Sequence, residues 1–175
     1  MSEFENTVDI KVGAMIRAWV INTYGSDHVR LDKSTNLWAI VKQSLDLLPN
    51  DYKTISDRSE YISIILLDAR STPYYNHPAE RSIHINSLYR CYISPAGQNA
   101  IKRYFENQFR NAFTQYMIGR QSADPDKKMK IQAAISDFLE DNGLDVTAKR
   151  LSTLSKYWYR FRVKFPEKFP LPIFF

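Results

Sequence analysis

Six cations, Lys149, Arg150, Lys156, Arg160, Arg162 and Lys164, fall within TAKRLSTLSKYWYRFRVK, Thr147 to Lys164. The segment has no acid and carries four aromatics among its last eight residues. Such a mixture has the chemistry of phosphate contact. Lys and Arg neutralise backbone charge, hydroxyls donate to phosphate oxygens, and exposed rings stack on unpaired bases. Projected at 3.6 residues per turn, Leu151, Leu154, Trp158, Phe161 and Phe165 gather on one side. Lys149, Lys156, Arg160 and Lys164 gather opposite, with Ser152 and Thr153. Arg150, Arg162, Tyr157 and Tyr159 take the flanks. The aromatic side is expected to be buried, which leaves Tyr157 and Tyr159 as the rings available for stacking.

The elements that would hold this helix are legible around it. Thr147 can cap its start. Asp124-Pro125 is a start signal for the preceding helix, because proline at the first helical position loses no needed N–H. Ile131, Ile135, Phe138 and Leu139 give that helix its apolar face, and Gly143 suits the left-handed position after its end. Helix, short turn and basic helix together form a helix–turn–helix-like pair, with the second helix in the recognition position. Upstream, Ser94-Pro95 opens a long helix running towards Gly119. Its Ile101, Tyr104, Phe105, Phe109, Ala112, Phe113, Tyr116 and Met117 keep the three-and-four spacing of a core face. Lys102, Arg103, Arg110, Lys127, Lys128 and Lys130 are candidates to extend the basic patch.

The N-terminal half reads as mixed. Val8, Ile10 and Val12 alternate with polar residues as a half-buried strand does. Met15, Ile16, Trp19 and Val20 follow at helical spacing, closed by Gly25. Val29 and Leu31 suit a short strand. Ser34 or Thr35 can cap a second helix whose face carries Leu37, Trp38, Val41, Leu45 and Leu48, stopped by Pro49. Residues 49–60 read as a loop. YISIILL, Tyr61 to Leu67, reads as a buried strand, with RSIHI, Arg81 to Ile85, as its hairpin partner. All candidate strands precede residue 86.

The expected fold class is therefore α+β: one domain over 1–175, with a small N-terminal sheet and two helices in 7–86, a basic helical part in 88–165, and a Pro/Phe-rich tail in 166–175. The halves are expected to share a core. Charge divides along the same line. Residues 1–87 carry nine Lys/Arg and eleven Asp/Glu, whereas residues 88–175 carry fifteen and eight. Such asymmetry points to an anionic partner for the C-terminal half. Phe169, Leu171, Ile173, Phe174 and Phe175 make the tail apolar enough to dock on the domain or to meet a protein partner or a second copy.

Other chemistry is not signalled. The sequence has no P-loop, GxGxxG, HExxH or GxSxG pattern. Cys91 stands in an apolar context, and with three scattered histidines it makes no metal cluster. Asp51, Asp57, Glu60 and Asp68 flank YISIILL as surface charges would, and an enzyme would need a polar pocket around His77, His84 and Asp68. No apolar stretch is long enough to span a membrane, and the acidic, polar N-terminus is no signal peptide. A cytoplasmic, non-enzymatic, cofactor-free protein is expected. It would bind DNA or RNA through the basic helix; the alternative is an interaction or assembly module built on the tail.

Overall fold

In a computed structural model the described residues are 6–32, 34–47, 55–67, 91–123 and 130–165. They form an α+β structure: a small N-terminal sheet with helices, then a helical C-terminal half. The chain divides into two compact units, Met1–Gln108 and Phe109–Phe175.

The first unit is built on a three-stranded sheet of β1 (Asn6–Lys11), β2 (His28–Arg30) and β4 (Tyr61–Leu67), in the order β1-β4-β2. β1 runs antiparallel to β4, pairing Ile10 with Ile62 and Val8 with Ile64, and β2 runs parallel to it, pairing Val29 with Ile64. Alternation puts these apolar residues on one face, and all are buried. β4 is buried on both faces, as its Ile-rich run requires. β1 lies along one edge of it and β2 pairs with its middle, from Ser63 to Ile65; RSIHI, the expected hairpin partner, lies outside the described residues.

Helix α1 (Ala14–Tyr24) buries Ile16, Trp19 and Val20, packs on β4, and ends at Gly25 in the left-handed conformation. Arg17 locks it in place. Its guanidinium donates to the Tyr61 carbonyl at 3.0 Å and to Asp27 at 2.7 Å. Helix α2 (Asn36–Ser44) starts at Thr35, whose hydroxyl accepts from the Trp38 amide. It ends four residues earlier than its apolar spacing suggested. Leu45 turns extended (φ −68°, ψ 134°), and Leu45–Leu47 form β3, paired antiparallel with β5 (Cys91–Ile93). So one strand does follow residue 86. Leu45–Leu47 and Cys91–Ile93 are each three residues long and carry too little pattern of their own to be seen in sequence, so their mutual pairing decides them, whereas the short strand expected around Val29 is present as β2.

The long helix α3 (Pro95–Ala123) starts at the expected proline and runs four residues past Gly119. Its first turn lies hard against the α2–β3 junction: the Ser94 amide donates to the Ser44 carbonyl at 3.0 Å. A Cβ on Gly97 would overlap the Ser44 side chain and come within 2.8 Å of Ile93 Cγ2. At the next residue, the Gln98 side-chain carboxamide donates through Nε2 to the Asp9 carbonyl (2.8 Å) and accepts at Oε1 from the Lys11 backbone amide (3.2 Å). It thereby covers backbone groups that an edge strand otherwise leaves open.

The second unit contains α3 from Phe109 onward, α4 (Ile131–Asp141) and α5 (Ala148–Lys164). The described part of α4 begins at Ile131; Asp124-Pro125, the expected start, lies outside the described residues. α4 closes as a Schellman turn: the Leu144 amide bonds the Leu139 carbonyl at 2.8 Å, the Gly143 amide bonds Glu140 at 2.9 Å, and Gly143 has φ 64°. Leu139 and Leu144, the apolar pair of that motif, are both buried.

Two outcomes follow. Gly97→Ala should destabilise the protein by about 1–3 kcal/mol in urea unfolding, because the added methyl meets backbone-anchored atoms rather than a flexible side-chain end; Ser44→Gly in the same chain should restore part of that loss. The second concerns pH. Burial raises the Asp27 carboxyl pKa, but the hydrogen bond and charge of Arg17 outweigh it and leave the group below its ordinary value. A depressed folded pKa stabilises above the unfolded value and fades as pH falls through the folded one. Unfolding midpoints measured from about pH 6 down through about pH 4 and below should therefore drop less steeply for Asp27→Asn than for the parent chain.

Candidate nucleic-acid interface

The position of α5 is set by aromatic packing. Phe113 on α3, fully buried, meets the Phe138 ring of α4 at 5.1 Å and the Tyr157 ring of α5 at 6.0 Å. Phe109 and Tyr116 meet Phe138 at 5.8 and 5.3 Å. Leu154 and Trp158 complete the buried face of α5, and Arg120 on α3 makes an ion pair with Asp137 on α4. The helix starts where the sequence places it: Thr147 caps it, its hydroxyl accepting from the Arg150 amide at 3.2 Å.

With that face buried, Lys149, Lys156, Arg160 and Lys164 point to solvent. None of the four makes an ion pair among the described residues. From Lys149 to Lys164 the stripe runs roughly 22 Å at the α-helical rise. Ser152 and Thr153 are exposed beside it, the Thr153 hydroxyl donating to the Lys149 carbonyl at 2.8 Å. Lys149 stands in the first turn, where the helix dipole disfavours a cation, and no acid in that turn offsets it.

The two flanking arginines sit differently from the stripe. Arg150 is half-buried and turned back on the connection before the helix, donating to the Asp145 carbonyl at 2.8 Å and to its carboxylate at 3.3 Å. Its charge is spent on holding the turn. Arg162, expected at an exposed edge, is buried, with 9% of its surface open. It lies one turn beyond Trp158 on the packed side, where the long aliphatic stem can line apolar surface. Phe161 is half-buried, stacked on Trp158 at 5.6 Å, and Phe165 is exposed, so the apolar face weakens towards the end of the helix.

The flanking tyrosines also part company. Tyr157 is half-buried against Phe113, while Tyr159 is 58% exposed. Of the residues considered for extending the patch, Arg110 and Lys130 are exposed in the second unit, and Lys127 and Lys128 lie outside the described residues. Lys102 and Arg103 belong to the first unit, where Lys102 approaches Glu106 at 4.0 Å. The tail residues Phe169, Leu171, Ile173, Phe174 and Phe175 lie outside the described residues, as do His77, His84, Asp51 and Asp68.

The first unit holds a polar arrangement with a weaker sequence signal. Arg58 forks onto the Asp9 carboxylate at 2.7 and 3.3 Å, and the Ser63 hydroxyl donates to Asp9 at 2.9 Å. Ser63 is only 1% exposed, and its proton is committed to a carboxylate already paired with Arg58. That suits satisfaction of a buried hydroxyl, not nucleophilic attack. The short hydroxyl inside YISIILL was its only warning. A shallow cleft of about 530 Å³ opens nearby, lined by Lys11, Tyr61, Ile93, Pro95, Asn99 and Lys102 among others. Its Lys11 is paired with Glu60 at 3.0 Å. Among the described residues no three His, Cys, Asp or Glu side chains gather as a metal site would need, and no helix is long and apolar enough to cross a membrane. Comparison with protein-family models, characterised proteins and solved structures found no match.

Because Phe113 touches both partner helices, Phe113→Ala should cost about 3–5 kcal/mol in chemical unfolding followed by helical circular dichroism. Arg160→Ala, at an exposed position, should stay within about 0.5 kcal/mol of the parent.

Proposed function

We propose that this chain is a non-enzymatic nucleic-acid-binding or accessory protein that contacts phosphates through the outer face of α5. One observation carries the reading: Lys149, Lys156, Arg160 and Lys164 are exposed on a helix that has no acid, and none has an anionic partner among the described residues. A solvated helix face normally mixes both signs. Four cations on one stripe instead form a surface that releases counterions on meeting a polyanion. The preceding α4 and the connection from Asn142 to Thr147 give the pair a helix–turn–helix-like frame. Arg150 and Arg162 are left out of the contact set, since one holds the turn and the other is buried.

Fluorescence anisotropy with labelled duplex and single-stranded DNA at about 50 and about 200 mM salt tests the reading. The parent chain should bind at the lower salt. A variant carrying Lys149→Ala, Lys156→Ala, Arg160→Ala and Lys164→Ala should lose most of that affinity, and its slope of log affinity against log salt should be shallower by roughly three to four. Absence of binding at low salt, or an unchanged quadruple variant, would overturn it.

A further inference from the structure

We infer that the ligand of this face is single-stranded nucleic acid, with the Tyr159 ring stacked on an unpaired base beside the cationic stripe; the inference rests on the phosphate-contact reading of α5. Two tyrosines flank the helix, and packing separates them. Tyr157 lies against Phe113 with its hydroxyl 3.5 Å from that of Thr114, so its ring is committed to the unit's interior. Tyr159 is 58% exposed, the most open of the large apolar side chains among the described residues.

Its neighbours give that openness a meaning. Ser152, Lys156, Tyr159 and Val163 succeed one another at steps of four, three and four residues, so they form one ridge along the helix. Val163 is also exposed, at 47%. The ridge therefore offers an aromatic plane with an aliphatic neighbour, bordered by Lys156 and Arg160. Cations track a sugar–phosphate backbone, and a ring beside them receives a base face; every base has one, so such a platform is tolerant of sequence. A duplex closes its base faces into the stack and presents phosphates and groove edges. Against a duplex, the ring and Val163 would meet charge or water and gain little.

The experiment uses the full chain with labelled oligothymidine and a duplex of equal length. Oligothymidine should bind more tightly than the duplex. Tyr159→Ala should weaken oligothymidine binding about five- to hundredfold with the salt slope unchanged, since no charge is removed. Tyr159→Phe keeps the ring and should bind as the parent does. If Tyr159→Ala binds oligothymidine as the parent does while the quadruple cation variant fails, the stacking inference is wrong and the phosphate face stands. If Tyr159→Phe loses as much as Tyr159→Ala, the hydroxyl and not the ring makes the contact, and the inference again fails. Equal affinity for duplex and single strand overturns it as well. If the quadruple variant binds both probes normally, the phosphate reading itself falls and takes this inference with it. At an exposed position both substitutions should leave the circular dichroism spectrum unaltered.

Discussion

Phe113 is the contact on which the arrangement of the helices within the C-terminal unit depends. It is fully buried and touches Phe138 on α4 and Tyr157 on α5. Aromatic rings bury large areas and prefer edge-to-face or tilted geometry, so a ring that serves two helices constrains how each is rotated as well as where it lies. Once Leu154, Trp158 and Tyr157 are turned towards that packing, the helical period leaves Lys149, Lys156, Arg160 and Lys164 facing water. The basic stripe is thus a consequence of burial on the other side of the helix. This is why the segment's aromatics and its cations, mixed in sequence, carry different roles.

The same segment shows how helix stability and surface charge are traded. Arg162 and Lys164 lie in the last turn, where cations complement the dipole, whereas Lys149 and Arg150 lie in the first turn, where they oppose it. Arg150 recovers its position by bonding the Asp145 carbonyl and carboxylate, and Thr147 supplies the cap. Lys149 has no such local compensation. Cations that stability does not ask for, left exposed without acids, are the physical content of the nucleic-acid reading. The first unit handles charge in the opposite way: Asp9 with Arg58, Asp27 with Arg17 and Glu60 with Lys11 pair across its elements.

Periodicity and caps were the legible part of the fold. Strong patterns over many residues located β1, β4, α1, α3, α4 and α5, and the hydroxyls of Thr35 and Thr147 accept at the helix starts as their positions implied. The reading failed where local and long-range preferences compete. Leu45 and Leu48 continue the apolar stripe of α2, yet the chain leaves the helix at Ser44 because Leu45–Leu47 pairs with Cys91–Ile93. The close approach of Gly97 to Ser44 and the clip of Gln98 on β1 link residues far apart in the chain, and neither residue type announces its partner.

What the amino-acid order determined by itself was the composition of each helix face: at 3.6 residues per turn, Lys149, Lys156, Arg160 and Lys164 must lie opposite Leu154 and Trp158. The flanks were left to tertiary structure, because a side chain at the border between faces can turn either way. Packing against Phe113 took Tyr157 inward and left Tyr159 out. The turn before α5 captured Arg150, and the packed side of the helix took Arg162. Angles around a helix follow from sequence alone, whereas exposure at the margins depends on what the rest of the chain brings alongside.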